Sequence, residues 1–337
     1  MFFFKHLLYP LAFIFFVITS LKNFLFEINF LKSKKFDLPL IGIGNLSFGG
    51  TGKTPMSEFI IENLNQKFNL AFLSRGYKRT TKGFVLATNH SNVEIIGDEP
   101  FQIFKKFKNI KVAVDENRAN GIKNLIQMFP GLDAVVLDDV FQHRSINLKL
   151  NILLTTYDKP FFKDYLAPIG TLRESTKGMQ RANIIVVTKC PYNMEDEKKE
   201  LIIKKLSLKS NQDVFFSSVS YDEVLYGKDK RNISQLENRK VLLITGIADT
   251  NSIVEYLNLK KIDFIHISFE DHHVYNQSDY LKISRKFENY IIITTEKDFY
   301  KLSDLSLQND IYYLKIKTKF LQSETKFIQK IEKAITN

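Results

Sequence analysis

One cysteine, Cys190, stands in 337 residues. That excludes an intramolecular disulfide framework and suits a reducing cytosol. The sequence also lacks zinc-type spacings, the aromatic signature of RNA-binding sheets and a helix-turn-helix pattern, so no nucleic-acid partner is expected. No internal repeat or low-complexity segment interrupts it, and no obligate protein partner is inferred. Acidic residues are in deficit: 37 Asp and Glu against 48 Lys and Arg leave a formal charge of +11. The surplus favours an anionic membrane surface or a phosphorylated substrate. Abundant Lys, Asn, Ile and Phe also reflect genome composition, which weakens that argument.

What is present is apolar content of 44%, ordinary for a globular core, and length enough for two domains. An uncharged, largely apolar run extends from Leu7 to Leu21, between Lys5-His6 and Lys22. A spanning helix needs about 20 apolar residues, and Pro10 falls inside this run. A secretory signal is a rival reading, but no small-x-small cleavage site follows and Phe24–Phe30 stays aromatic. Residues 1–35 are expected to form a helix in the membrane interface, with Lys22, Lys32, Lys34 and Lys35 near lipid headgroups. Burial against the core or a partner, and a true span, are the alternatives.

Gly44–Pro55 reads Gly-Asn-Leu-Ser-Phe-Gly-Gly-Thr-Gly-Lys-Thr-Pro, between the apolar run Leu38–Ile43 and the amphipathic run Met56–Leu64. Gly49, Gly50 and Gly52 carry no Cβ, so N–H groups can approach an anion closely. The helix start adds unpaired donors and a positive dipole end. Lys53 supplies a mobile cation for the outer phosphates, and the Thr54 hydroxyl can hold Mg²⁺. Ser47, Phe48 and Thr51 complete a candidate phosphate-binding loop. The usual pattern places glycine where Ser47 stands; a Gly-rich turn with an incidental Lys-Thr pair is the bland reading.

Short β-rich runs then alternate with helical ones. Strands are expected at Leu38–Ile43, Leu70–Ser74, Lys111–Asp115, Ala134–Leu137, Leu150–Thr155 and Ile184–Thr188, and helices at Pro55–Lys67, Asp98–Phe107 and Glu116–Phe129. The pattern predicts an α/β fold, a P-loop-type mostly parallel sheet with helices on both faces. Lys228–Lys240 is polar enough for a linker. Beyond it, strands at Val241–Thr245, Ile262–Ser268, Tyr290–Thr295 and Ile311–Ile316 and helices at Thr250–Leu257, Ser278–Phe287 and Glu324–Ile335 predict a second, smaller α/β domain. The expected units are 36–230 for nucleotide binding and 231–337 closing over the cleft.

Chemistry-bearing residues gather at strand ends, where such sheets bind ligands. Asp138 and Asp139 follow Ala134–Leu137 and suit Mg²⁺, which takes carboxylate and water oxygens; a solvated turn is the plain alternative. Gln142 and His143 follow, as substrate contacts or as an ordinary helix start. Asp98 and Glu99 stand at a helix N-terminus, where a carboxylate can accept a hydroxyl proton or merely cap the helix. Asp271-His272-His273 could orient such a carboxylate. Arg75, Arg118 and Arg173-Glu174 follow strands or open a helix, and arginine forks onto phosphate oxygens. Thr188-Lys189-Cys190 and Thr295-Glu296-Lys297-Asp298 also end strands, without a clear choice between nucleotide-base and structural roles.

Together these motifs resemble the tetraacyldisaccharide 4'-kinases, the lipid A 4'-kinases. The likeness rests on the loop, Ser74-Arg75-Gly76-Tyr77, Gly97-Asp98-Glu99-Pro100, Asp115-Glu116-Asn117-Arg118, Asp138-Asp139-Val140-Phe141-Gln142-His143, Leu172-Arg173-Glu174, Asp271-His272-His273 and Thr295-Glu296-Lys297-Asp298. The family carries Ser or Thr where Ser47 stands. Gly is common at Val140 and Pro at Thr171; neither departure removes a functional group. The resemblance implies γ-phosphate transfer from ATP with Mg²⁺ to the 4'-hydroxyl of an acylated glucosamine disaccharide 1-phosphate, giving lipid IVA. It implies a peripheral enzyme on the cytoplasmic face of the bacterial inner membrane. By motif, Asp98 is the base, His272 its partner, Lys53 and Thr54 handle phosphates and metal, and Asp138 and Asp139 surround the magnesium. Asn45, Arg75, Glu99, Arg118, Gln142, Arg173 and Glu174 are candidate substrate contacts. The rival functions are a membrane-associated P-loop nucleotide switch binding a protein partner and a kinase of a soluble metabolite.

Overall fold

β1 (Leu40–Asn45) is buried along its whole length and delivers the glycine loop to α2 (Lys53–Leu64). Gly44 is required there: a Cβ would lie 2.7 Å from the Phe141 Cβ and 2.8 Å from its backbone nitrogen. α2 starts at Lys53, two residues before the expected Pro55, because a proline in the first turn forfeits no helical hydrogen bond. The computed structural model describes residues 2–302 and 309–337; side chains of residues 2–7 and 280 lie outside the described residues, the Lys5-His6 flank with them.

The chain opens with α1 (Phe2–Glu27). After α2 come β2 (Leu70–Ser74), β3 (Val85–Leu86), α3 (Val93–Ile96), α4 (Asp98–Lys106), β4 (Lys111–Val114), α5 (Arg118–Met128), β5 (Ala134–Leu137), β6 (Leu150–Thr156) and β7 (Ile184–Thr188). α6 (Asp196–Leu206), β8 (Asp213–Gly227), β9 (Lys230–Asn232), β10 (Val241–Thr245), α7 (Asn251–Leu259), β11 (Phe264–Ser268) and α8 (Gln277–Phe287) follow. The last elements are β12 (Ile291–Thr295), α9 (Glu296–Leu302), β13 (Ile311–Phe320) and α10 (Glu324–Thr336). Among the described residues the strands run β11-β10-β12-β13-β8-β7-β6-β1-β5-β2-β4-β3, with β9 on β8. β8 joins the halves: its start pairs parallel with β7, and the rest runs antiparallel to β13.

Helices cover both faces, as the alternation predicts. Ile60 and Ile61 of α2 and Ile103 of α4 pack on one face of the first sheet, Ile122 and Leu125 of α5 on the other. α7 and α8 cover opposite faces of the second sheet through Leu257 and Ile283. Two expectations change. Lys228–Lys240 is no free linker, since β9 and a 3-10 turn (Ile233–Leu236) lie within it and bury Ile233 and Leu236. α10 falls within 231–337 yet packs into the first core, where Phe327 meets Phe59, Phe215 and Phe320 at centroid distances of 4.5–6.1 Å. A fully buried phenylalanine of this kind contributes about 1.5–3 kcal/mol, enough to hold the chain end against the first half.

α1 is strongly apolar through its middle, with Lys22, Asn23 and Glu27 in its last turns. From Leu8 to Glu27 it has a mean hydropathy of 1.6 and is 6% buried, and among the described helices it alone is long and apolar enough to cross a membrane. Phe13, Ile14, Ile18 and Phe24 are all more than half exposed.

Candidate active site

Gly52 stops β-type geometry and starts α2 with φ 84°, a left-handed turn that glycine adopts without strain. Asn45 Nδ2 donates to Thr51 Oγ1 at 2.9 Å, and the Thr188 hydroxyl donates to the Thr51 carbonyl at 2.9 Å, so the loop is fastened from two strand ends. A Cβ on Gly49 or Gly50 would meet nothing within 4 Å. The loop therefore keeps an open side fit for phosphate oxygens. Ser47 is paired through its backbone to Leu172, and the exposed Phe48 ring lies 4.9 Å from the Arg173 guanidinium.

The acidic pair follows β5. Asp139 adopts φ 47°, an uncommon conformation for a side-chain-bearing residue. It accepts Arg173 Nη1 at 2.9 Å and faces Lys53 Nζ at 3.5 Å. Burial would raise its pKa, but Lys53 and Arg173 outweigh burial and hold it low. Asp138 is the opposite case. Burial pushes its pKa to about 7; Lys53 opposes this, while Asp139 and Glu99 add to it. Its Oδ1 is buried without a hydrogen-bond partner among the described residues, as is Oδ1 of Asn45. An orphaned carboxylate oxygen beside an open glycine loop fits a divalent cation. Among the described residues no three His, Cys, Asp or Glu side chains converge as a metal cluster; Mg²⁺ needs only one or two carboxylates beside water and phosphate oxygens.

The second constellation crosses between the halves. Asp98 opens α4, and its Oδ2 lies 3.0 Å from His272 Nδ1 and 2.7 Å from Lys301 Nζ. Lys297 Nζ stands 3.2 Å from His272 Nε2 and 3.4 Å from Glu99. An ammonium only donates and a carboxylate only accepts, so Nε2 accepts from Lys297 and Nδ1 carries the proton toward Asp98. Tyr77 packs edge-on against the imidazole at 5.2 Å. His272 is itself strained, with φ 61°. Burial would raise the Asp98 pKa, but the His272 hydrogen bond and the charges of Lys301 and Lys297 take it down to about 2. Glu99, the neighbour of Asp98, raises the Asp138 pKa, whereas Lys53 of α2 lowers it.

The remaining sequence candidates divide by burial. Gln142 donates to the Asn45 carbonyl at 2.8 Å and accepts from Arg173 at 3.4 Å, in a turn rather than at a helix start. Arg118, 2% exposed, donates to the carbonyls of Asp115 at 2.6 Å and Asp138 at 3.1 Å. Glu174, 3% exposed, is engaged by Arg181 at 2.7 Å, Gln142 and Asn23. Those two brace the site from within. Arg75 is exposed and has no ion pair among the described residues, while Thr54 lies half-buried in the first turn of α2. Lys301 belongs to none of the sequence motifs, and the motif that holds Lys297 assigns it no role. Four residues apart on a helix, they share one face, a signal hidden until Glu296 is known to start α9. His273, by contrast, bonds Asp279 at 2.9 Å and stacks on Phe269. Two concavities of about 300 Å³ lie elsewhere, one lined by Lys149, Lys330 and Lys333, the other by Glu223, Glu237 and Lys260.

A mostly parallel α/β sheet with a glycine loop, a neighbouring acid pair and a buffered aspartate defines a P-loop-type phosphotransferase. Residues 4–336 match the family described as Tetraacyldisaccharide-1-P 4'-kinase, and the chain belongs to that family. The tetraacyldisaccharide 4'-kinase of Flavobacterium johnsoniae is 45% identical over 324 residues, covering 96% of this chain and 95% of that protein. The same enzyme of Bacteroides thetaiotaomicron is 41% identical over 347 residues, covering 96% and 91%. The crystal structure of "apo" form LpxK from Aquifex aeolicus in complex with ATP superposes with a TM-score of 0.78 at 27% identity, covering 98% of this chain and 99% of that one.

Proposed function

We propose that this chain transfers the γ-phosphate of ATP to the 4'-hydroxyl of a tetraacylated glucosamine disaccharide 1-phosphate, forming lipid IVA. The observation that carries the reading is the Asp98–His272 pair at 3.0 Å, contributed by two halves of the molecule. Asp98 stays ionised at neutral pH and accepts the hydroxyl proton as the sugar oxygen bonds to phosphorus and the bond to the departing ADP breaks. The neighbours that lower the Asp98 pKa keep the carboxylate in its charged, proton-accepting form. His272, Lys297 and Lys301 hold its orientation. Lys53 and Arg173 supply positive charge for the phosphates. Thr54, Asp138 and Asp139 would hold Mg²⁺, which neutralises charge on the phosphoryl group in such reactions.

The exposed, largely apolar α1 supports a membrane-associated enzyme. It lies in the cytosolic leaflet of the inner membrane, with the exposed Lys22, Lys32, Lys34 and Lys35 at the headgroups. A peripheral position lets the enzyme reach the sugar without extracting the acyl chains. The test is to supply the purified full chain with labelled ATP, Mg²⁺ and a panel of acylated and soluble sugar acceptors. Label is expected on the acylated disaccharide 1-phosphate. Label confined to soluble sugars, or released only as inorganic phosphate, would overturn the assignment.

A further inference from the structure

α1 does more than project from the fold. Its last turns grip a single arginine, Arg144, which directly follows the Asp138–His143 turn. Arg144 Nη1 donates to the Asn23 carbonyl at 2.8 Å and to Asn23 Oδ1 at 3.2 Å. The Phe26 ring lies 5.2 Å from the guanidinium, and Glu27 stands 3.7 Å away. The chain leaving α1 binds the same segment: the Ser33 hydroxyl donates to the Arg144 carbonyl at 2.5 Å, and Lys34 exchanges backbone bonds with Ser145 and Asn147.

The other half of the Asn23 amide faces the site. Asn23 Nδ2 donates to Glu174 Oε2 at 2.8 Å, across 151 residues of sequence. The second Glu174 oxygen takes Arg181 at 2.7 Å and Gln142 at 3.3 Å. Gln142 in turn holds the Asn45 carbonyl, and Asn45 holds the loop at Thr51. Arg173, next to Glu174, reaches both Gln142 and Asp139. Asn23 is thus joined to the loop by a chain of hydrogen bonds with no solvent gap.

We propose that Asn23 and Arg144 are positioning residues that lock the membrane helix onto the acidic turn and the glycine loop, so that seating of α1 in a bilayer sets the geometry of phosphate transfer. This rests on the kinase reading above and deepens it: the helix acts as an organiser of the site as well as an anchor. An anchor needs only apolar surface, and Asn23 adds none. A carboxylate as buried as Glu174 needs its donors in place, and small displacements of a positioned site are costly to turnover.

The experiment compares the full chain with Asn23→Ala and Arg144→Lys. Alanine is a strong helix former, so the first variant keeps α1; the second keeps the charge but loses the planar guanidinium that donates to Asn23 and lies over Phe26. Binding to vesicles of phosphatidylethanolamine and phosphatidylglycerol, KM for ATP and kcat on the acylated acceptor are measured for each. Vesicle binding and KM for ATP within about twofold of wild type are expected, with kcat reduced roughly tenfold or more. The double variant should be no worse than the poorer single one, since both break one lock. Unchanged kcat, losses that follow vesicle binding, or losses that multiply in the double variant would overturn the proposal. Wild-type transfer in the same assay reports separately on the kinase reading.

Discussion

Asp138 and Asp98 are both buried carboxylates, and their neighbours drive them apart. Asp98 is stabilised in its charged form by His272, Lys301 and Lys297. Its folded-state pKa lies below the unfolded value, so its contribution is present above about pH 4 and is lost as pH falls toward 2. Asp138 is shifted from 3.8 to about 7 by burial. Its cost is absent at low pH, grows as pH rises and is complete above about pH 7. Asp138→Asn should therefore melt higher than the parent at pH 8, without nucleotide or divalent ion, by about several degrees. The gap should shrink at pH 5, and turnover should be lost. Thermal melts at the two pH values check this; an equal difference at both would mean that Asp138 is not held charged at a cost.

At the scale of elements, α1 is where attachment and catalysis meet. Deleting residues 1–24 should abolish vesicle association and turnover on membrane-held acceptor while ATP binding persists, as equilibrium binding of labelled ATP would report. Retention of full activity on the acylated acceptor would remove α1 from the mechanism. How much is legible in the sequence also shows at this scale. Leu70–Ser74, Ala134–Leu137, Ile184–Thr188 and Val241–Thr245 form where their apolar runs predict, because strands buried on both faces read as continuous hydrophobic stretches. β8 gives no such signal: Ser217, Ser218, Ser220, Asp222 and Glu223 interrupt its pattern, since it leaves one sheet and joins another. Lys297 and Lys301 are hidden for a related reason. Their contacts with Glu99 and Asp98 depend on the second half meeting α4, which has no local signature. The positions of Asp98 at a helix start and Lys53 after the glycine loop are legible because those features are local.

For the molecule as a whole, β8 and α10 bind the two halves together, and Asp98 and Glu99 of α4 in one half meet His272 and the α9 lysines of the other. We propose that closure of this join excludes water, so that a sugar hydroxyl and not solvent takes the phosphate. Two sheets alone would not achieve this; the ion pairs Lys301–Asp98 and Lys297–Glu99 run directly across the join. The most direct measurement is kcat for γ-phosphate transfer by Asp98→Asn at saturating ATP and acylated acceptor, with KM for ATP determined alongside. A fall of about 10²-fold or more in kcat, with KM for ATP nearly unchanged, is the expected result for loss of a general base. Transfer at the wild-type rate would contradict the role of Asp98 and the shared site built around it.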